Sequence, residues 1–497
     1  MNVPDPLWTG SEIVSALGGP PSREESGEEE IACARPGDLV VTGISIDTRS
    51  VAPGDLFVAL DQRPEGGRDG HQFVDQAVAV GAGAILADRA LPDAGVPVFV
   101  VAETLAGLRA LARAARRRMQ GCVVGITGSS GKTTLRHFLQ HMLEDILGSE
   151  GGAEGAVHAS LGSLNNHIGV PLSLARMPRG SRFAVLEVGT NHPGEIGRLV
   201  QLVRPDVAVL LNVFPAHIGN FGNLDALRIE KLSISGALDH PHELVLDESI
   251  RVSENEIRAT RCHRFGDTDD TVVQTLSVDE TETGAAVEVL VDGAKERFFL
   301  PAGGRHRVRT ALAALAVVRA VHLPVAMACA ALRRIEPPAG RGQRLCVPRL
   351  GGDITIVDDS YNANPSSMTY ALTQLAQAAG RKVAVLGEIH ELGDEGPALI
   401  QGLVAYAAVA DVLFTVGAGM LALSQSLSER PSDARSHSMF RSGHFERVGD
   451  APRELSAVAL AGQLEPGDTV LVKGSNRVFW TRGFVNDLVA CLVAAGD

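Results

Sequence analysis

The clearest chemistry in the chain sits in ten residues, Gly125-Ile126-Thr127-Gly128-Ser129-Ser130-Gly131-Lys132-Thr133-Thr134. Glycines let backbone N–H groups close on anionic oxygens. Lys132 adds a full positive charge, and the Thr133 hydroxyl suits a magnesium ion. The strict phosphate-loop spacing puts a glycine at 126, where this chain has Ile126; its glycines stand at 125, 128 and 131. Glu187 ends the apolar run Phe183-Ala184-Val185-Leu186. An acid at a strand end beside a phosphate loop is where nucleoside-triphosphate enzymes hold magnesium. His217 follows a second run, Val207 to Leu211, and so falls at the same sheet edge, where ligands of open α/β sheets gather. Lys231 lies further along, in Arg228-Ile229-Glu230-Lys231. A lone His and a lone Lys are more often structural; their company with the cradle and Glu187 makes them candidates.

Lysine usage sharpens this. Of 45 basic residues only five are lysine: Lys132, Lys231, Lys295, Lys382 and Lys473. A chain that uses arginine for ordinary positive charge keeps lysine where a compact ammonium or a reactive amine is needed. Chance placement on the surface suffices for Lys295 and Lys382, but not for the other three.

These residues need elements to position them. Cys122-Val123-Val124 reads as a buried strand leading into the cradle, and Leu135 to Leu143 repeats apolar residues at helical spacing. Earlier, Gly43 to Leu60 reads as a strand, a Pro53-Gly54 turn and a second strand, with Asp47, Thr48 and Arg49 together at a strand end. That trio suits a polar ligand and equally a capped, salt-bridged turn. Asn165 and Asn166 suit substrate hydrogen bonds and equally a helix N-cap. Phe73 to Val80 and Glu103 to Met119 read as helices, the second rich in arginine, and Ala311 to Leu332 as two buried helices broken by Pro324. Beyond the linker Pro337 to Arg344, which carries Arg341, strands at Ile354–Asp358, Lys382–Gly387, Asp411–Val416 and Thr469–Lys473 alternate with helical stretches, a parallel unit. Asp358, Tyr361, Asn362 and Asn364 lie just past its first strand, facing any cleft. No Gly-x-Gly-x-x-Gly opens this unit, so it is not read as a dinucleotide site.

Taken together, Gly-Ile-Thr-Gly-Ser-Ser-Gly-Lys-Thr-Thr, Leu-Asn-Asn-His-Ile-Gly-Val-Pro at 164–171 and Leu-Glu-Val-Gly-Thr-Asn-His-Pro-Gly-Glu-Ile at 186–196 resemble the Mur ligases of peptidoglycan synthesis. Ile46-Asp47-Thr48-Arg49-Ser50 and Asp358-Asp359-Ser360-Tyr361-Asn362-Ala363-Asn364-Pro365 extend the resemblance over nearly the whole chain. It implies an α/β protein of three domains: an N-terminal UDP-substrate domain over 1–119, a central P-loop parallel-sheet ATPase domain over 120–340 and a C-terminal Rossmann-like domain over 341–497. It implies ATP, held by Gly128, Ser129, Ser130, Gly131, Lys132, Thr133 and Thr134 with Arg341 and Asp358. It implies two magnesium ions, on Thr133, Glu187 and His217, and a carbamate on Lys231 made from carbon dioxide, a further metal ligand. Asp47, Thr48, Arg49, Asn165, Asn166, Tyr361, Asn362 and Asn364 are implied on the substrates, a UDP-linked muramoyl tripeptide and D-alanyl-D-alanine. Two departures stand out. The family's His-Asn-x-x-Asn-Ala is here His306-Arg307-Val308-Arg309-Thr310-Ala311, and its Lys-Gly-Ser-Arg is Lys473-Gly474-Ser475-Asn476.

Composition agrees with an α/β enzyme. The chain has 497 residues, 45% apolar and 4% aromatic, and a net charge of −14. That charge argues against a nucleic-acid partner held by phosphate neutralisation. Six scattered cysteines with no metal spacing, and a start without a basic or apolar run, indicate a cytoplasmic protein with reduced thiols, no signal peptide and no membrane span. It is read as a monomer, with Pro20 to Glu30 an acidic insertion. Three other readings remain: a Mur ligase adding a single amino acid, a folylpolyglutamate synthase, and a nucleotide-binding regulatory paralogue without turnover. About 120 residues before the cradle argue against the second.

Overall fold

A computed structural model describes residues 6–18, 39–63, 66–149, 151, 155–215, 218–236, 243–281, 283–302, 304–428 and 441–494. The acidic insertion at 20–30, Cys33 and His217 lie outside these described residues.

Three sheets organise the chain. The first has four parallel strands in sequence order, Ile44–Ser45, Leu56–Val58, Ala84–Ala87 and Val98–Val100. The first two strands were expected around a Pro-Gly turn. They run parallel, and residues 46–55 cross over between them through the 3-10 turn Thr48–Ser50. The expected helices are present as Val74–Ala79 and Thr104–Arg118.

The second sheet has nine strands, and the cradle strand Cys122–Thr127 lies inside it, between Phe183–Glu187 and Val207–Leu210. Apart from Cys122 the strand is wholly buried, so its Val-Val-Gly-Ile-Thr run carries no polar alternation. The cradle helix, Lys132–Ser149, turns Leu135, Phe138, Leu139, Met142, Leu143 and Ile146 to one face of the sheet. Helices Arg305–Ala320 and Val325–Leu332 complete that face, ending the apolar stretch as expected around Pro324. The sheet continues through Glu243–Asp247, Arg261–Gly266 and Val273–Glu280 to an antiparallel hairpin, Gly284–Val291 and Ala294–Pro301. Its turn is Asp292-Gly293, both at positive φ, the backbone that a two-residue hairpin demands.

The third sheet orders Gln343–Val347, Ile354–Asp359, Thr469–Lys473, Lys382–Gly387, Val412–Val416 and Arg441–Phe445, parallel except for the first. Among the described residues no helix is long and apolar enough to cross a membrane, and five cysteines are free.

The first sheet is fused to the second. A single apolar cluster runs from Trp8, Leu56 and Leu86 through Leu108 and Leu111 to Val123, Leu172, Leu186 and Leu210. Arg116 donates to the carbonyls of Val203 and Arg204, and Arg118 to those of Leu7 and Met177. The arginine-rich helix keeps Arg113 and Arg117 on a solvated face, as expected, while Arg116 and Arg118 tie it to the central layer. Trp8 Nε1 donates to the Ala175 carbonyl at 2.9 Å across the same seam. Leu111→Ala, at a fully buried position, should therefore cost about 3 kcal/mol. With Trp480 replaced by Phe, the Trp8 emission and the far-UV signal of the first two layers should shift to lower urea together; separate transitions would show that the seam does not couple them.

Candidate functional site

A cleft of about 370 Å³ opens between the C-terminal strand ends of the second and third sheets. The cradle forms one wall. Gly131 has φ +81°, and a Cβ there would sit 2.8 Å from Leu211 Cδ2, so glycine alone lets the loop pass the neighbouring strand end. Asn212 pins the loop from that strand: its Oδ1 accepts from Ser130 N at 3.0 Å and its Nδ2 donates to Ser130 O at 3.1 Å. Ser129, Ser130, Gly131, Lys132, Thr133 and Thr134 all line the cleft. Lys132 Nζ folds back on the Gly128 carbonyl at 2.7 Å. Burial pulls its amine below the ordinary lysine value, and the Arg341 charge adds to this against the pull of Glu187.

Glu187 is fully buried at the end of its strand. Its Oε2 accepts from the Thr133 hydroxyl at 3.1 Å and its Oε1 from Arg136 Nε at 3.1 Å. A hydroxyl and a carboxylate meeting beside a phosphate loop are an oxygen donor set suited to magnesium, so the residues fit that ion. Among the described residues no three His, Cys, Asp or Glu side chains cluster as a ready metal site.

Lys231 is 2% exposed on the helix Leu224–Leu232. Burial first, then the Lys132 charge, bring its amine down to about 7. The neighbouring Glu230 accepts from the backbone N–H groups of Gly194 and Ile196 at 2.6 and 2.8 Å. It thereby fixes the loop that sends Thr190 and Asn191 into the cleft.

The third sheet supplies the opposite wall. Arg341 Nη2 donates to Ser163 Oγ at 3.3 Å, and its guanidinium lies 4.1 Å over the Tyr361 ring. Tyr361 meets Trp480 edge-on at 5.2 Å. Gly340, at φ +71°, leaves room for this stack; a Cβ there would sit 2.6 Å from the Trp480 ring. Lys473 is 2% exposed and pairs with Asp359 Oδ2 at 2.6 Å. Burial raises the Asp359 carboxyl against the pull of Lys473. Asn476, where the resemblance led to an arginine, donates to the Tyr361 carbonyl at 3.1 Å.

Several expected residues meet here: Arg341, Tyr361, Asn362, Asn364 and Asn165 all line the cleft. Asn364 also caps the helix Pro365–Ala376. Others do not. Asp358 faces the other side of its strand, where its Oδ1 accepts from Ser360 N and Oγ, and Asp359 takes the cleft position. Successive strand residues point to opposite faces, so only one of an adjacent acid pair can reach a given cleft. Asn166 Oδ1 is spent on Gly169 N at 2.8 Å, tying down the helix Gly169–Ala175. Asp47 caps the turn Thr48–Ser50 and pairs with Arg49. None of Asp47, Thr48 and Arg49 lines the cleft; their neighbour Ser50 lines a separate groove of about 640 Å³ with Asp55, Arg176 and Arg179. Reasoning from sequence missed Asp359, Ser163, Thr190, Asn191 and Tyr370. Asp359 carried a signal as the second half of an acid pair, and Thr190 and Asn191 stood within the family motif at 186–196.

The Mur ligase middle domain matches residues 126–318, and the Mur ligase glutamate ligase domain matches residues 340–476. The chain is 32% identical over 445 residues to UDP-N-acetylmuramoyl-tripeptide--D-alanyl-D-alanine ligase of Escherichia coli strain K12, covering 88% of this chain and 92% of the relative. It superposes on MurF from Acinetobacter baumannii with a TM-score of 0.75 at 26% identity, covering 97% of this chain and 99% of that one. MurF ligase from Thermotoga maritima, in complex with ADP, gives a TM-score of 0.70 at 27% identity, covering 92% and 99%.

The two adjacent acids make a discriminating pair. Asp359→Asn strips the buried Lys473 ammonium of its ion partner and should lower stability by roughly 3 kcal/mol, with loss of turnover. Asp358→Asn should keep turnover near that of the parent chain. Urea midpoints and phosphate release, measured side by side, check this; equal loss of turnover in both would mean the cleft does not distinguish them.

Proposed function

The chain belongs to the Mur ligase family, and from that premise we propose that it joins D-alanyl-D-alanine to UDP-N-acetylmuramoyl-tripeptide with hydrolysis of ATP. The observation that carries this reading is the cleft itself. Lys132 and the loop amides face Arg341, Lys473 and Asn362 across a gap. A polyphosphate on one wall thus comes beside polar donors of the other.

A carboxylate is a poor electrophile because its leaving group would be oxide. Transfer of the γ-phosphoryl group gives an acyl phosphate, whose leaving group is phosphate; the dipeptide amine attacks the carbonyl carbon, and the tetrahedral adduct expels phosphate to leave the amide. The chain's part is positioning and charge neutralisation. Lys132 and Arg341 bring positive charge to the transferring group, and the loop N–H groups hold the phosphates. Thr133 and Glu187 would hold magnesium, which screens charge on the phosphate oxygens when bound. Asn165, Tyr361, Asn362 and Asn364 bind the peptide and dipeptide. The UDP end is assigned to the groove beside Ser50, the residue that follows Asp47, Thr48 and Arg49 in the chain. The domains divide at 119/120 and 340/341. The enzyme acts as a monomer in the cytoplasm.

Lys231 is assigned the carbamate: the neutral amine attacks carbon dioxide, a C–N bond forms, and one proton leaves to solvent. Its burial and lowered amine value support this, since an amine of ordinary basicity stays protonated at neutral pH. The product is a carboxylate ligand that with His217 would hold a second magnesium.

Phosphate release from ATP should require both the UDP-linked tripeptide and D-alanyl-D-alanine, and the product should gain the mass of the dipeptide less water. Release with a single amino acid in place of the dipeptide would move the chain to another Mur step. Lys231→Ala should lose turnover and recover part of it with added short carboxylic acids. In the parent chain, a carbamate carbon-13 signal from labelled bicarbonate should grow as pH rises through about 7, because only the neutral amine reacts. Full activity of Lys231→Ala would sink the assignment.

A further inference from the structure

Thr133 and Arg136 stand three residues apart on the helix Lys132–Ser149, so they share a face, and each takes one oxygen of the fully buried Glu187. Oε2 accepts from the Thr133 hydroxyl and Oε1 from Arg136 Nε, both at 3.1 Å. The Arg136 side chain is 12% exposed and is itself held. Its Nη1 donates to Gln140 Oε1 at 3.2 Å, and Gln140 Nε2 donates to Glu144 Oε1 at 2.9 Å. Arg136, Gln140 and Glu144 thus form a relay in four-residue steps along the helix. Phosphoryl transfer and amide formation make no use of it.

The two holds on Glu187 differ in kind. Thr133 can release Oε2, because a hydroxyl rotates: Ser163 Oγ lies 3.4 Å from Thr133 Oγ1 and offers its proton another acceptor. Turned that way, the Thr133 oxygen and Glu187 Oε2 both present lone pairs to a cation. Arg136 has no such alternative. Its guanidinium is always charged and offers no lone pair, and if it left Oε1 that oxygen would stand bare in a buried site.

We propose that Arg136 is a positioning residue: it holds Glu187 to one metal-facing oxygen, Oε2, and so selects magnesium over calcium. This rests on the reading of Thr133 and Glu187 as magnesium donors. Magnesium demands near-octahedral geometry, keeps several waters and is held by one or two carboxylates. Calcium accepts more ligands at longer distances and readily spans both oxygens of one carboxylate. A guanidinium at hydrogen-bond distance bars that second mode, because it occupies a lone pair of Oε1 and repels another cation from it. The outer partner of a ligating carboxylate acts on metal affinity through that carboxylate, without touching the ion.

The test uses the full chain with ADP. Manganese is the bound probe, followed by its paramagnetic resonance while magnesium or calcium displaces it. The ratio of the two displacement constants is the readout. The parent should favour magnesium over calcium by about tenfold or more. Arg136→Met, which removes the donor and the charge, should lower that ratio by about tenfold or more, through closer binding of calcium. Arg136→Lys, which keeps a cation and a donor within reach, should hold the ratio within about threefold of the parent. Loss of a positive charge strengthens every divalent cation alike, and a packing defect lowers the melting temperature; neither moves the ratio. An unmoved ratio in the folded Met variant would therefore overturn the proposal, as would a Lys variant that falls as far as the Met variant. The parent and Lys chains leave no bare oxygen on Glu187, so their measurements stand whether or not the Met variant folds. A parent that takes calcium as readily as magnesium overturns the proposal by itself. Failure of manganese to bind the ADP-loaded parent would sink the magnesium reading along with it.

Discussion

Unbalanced positive charge in one cleft is the constraint on which the rest depends. The chain carries a net charge of −14, yet Lys132, Arg341 and Lys473 converge on a single cavity. Arg341 lowers Lys132, and Lys132 lowers Lys231, so these cations feel one another in a medium that screens poorly. Glu187 and Asp359 compensate only in part, and each is already committed, Glu187 to Thr133 and Arg136, Asp359 to Lys473. Lys132 turns to a neutral carbonyl of its own loop. A polyanion relieves this repulsion on arrival, which makes charge a source of binding energy.

The two joins between layers differ in kind, and the difference suits the chemistry. The first and second sheets share one apolar core through the helix Thr104–Arg118. The third sheet keeps its own cores, built from Leu372, Leu386 and Leu413 on one face and Ile356, Val385 and Val472 on the other. It meets the central layer through polar and aromatic contacts: Arg341 with Ser163, Gln374 with Glu280, and Tyr370 with His306. A seam of that sort opens and closes at little cost in buried apolar surface, whereas the fused seam does not.

Much of this was legible in the sequence because it rests on local rules. The cradle strand and helix follow from a run and a period. Lysine scarcity picked out Lys231 and Lys473, both 2% exposed, and left aside Lys295, whose side chain is 68% exposed beside Glu288. The failures share a cause: each turned on which way a side chain faces. Asp358 and Asp359 differ by one residue of strand parity. Asn165 reaches the cleft while Asn166 is consumed by its own backbone. Asp47 and Arg49 satisfy each other. Orientation at a strand end or turn is set by tertiary neighbours, which residue type and spacing do not encode. The Asp292-Gly293 hairpin is a different case, a local turn signal present in the sequence and passed over.

The cleft has one further property that follows from topology alone. Thr127, Glu187, Asp359 and Lys473 are the last residues of four parallel strands drawn from two sheets. Parallel strands place all their C-terminal ends on one edge, so two such sheets set edge to edge present two rows of loops to the same space. One row ends in a phosphate loop and a buried acid. The other ends in an ion pair with Arg341 above it. Neither row holds a complete site. The chemistry of joining a carboxylate to an amine needs the activating group and both carbon partners at one point, and a gap between two loop rows is where a chain of this layout can bring three substrates together.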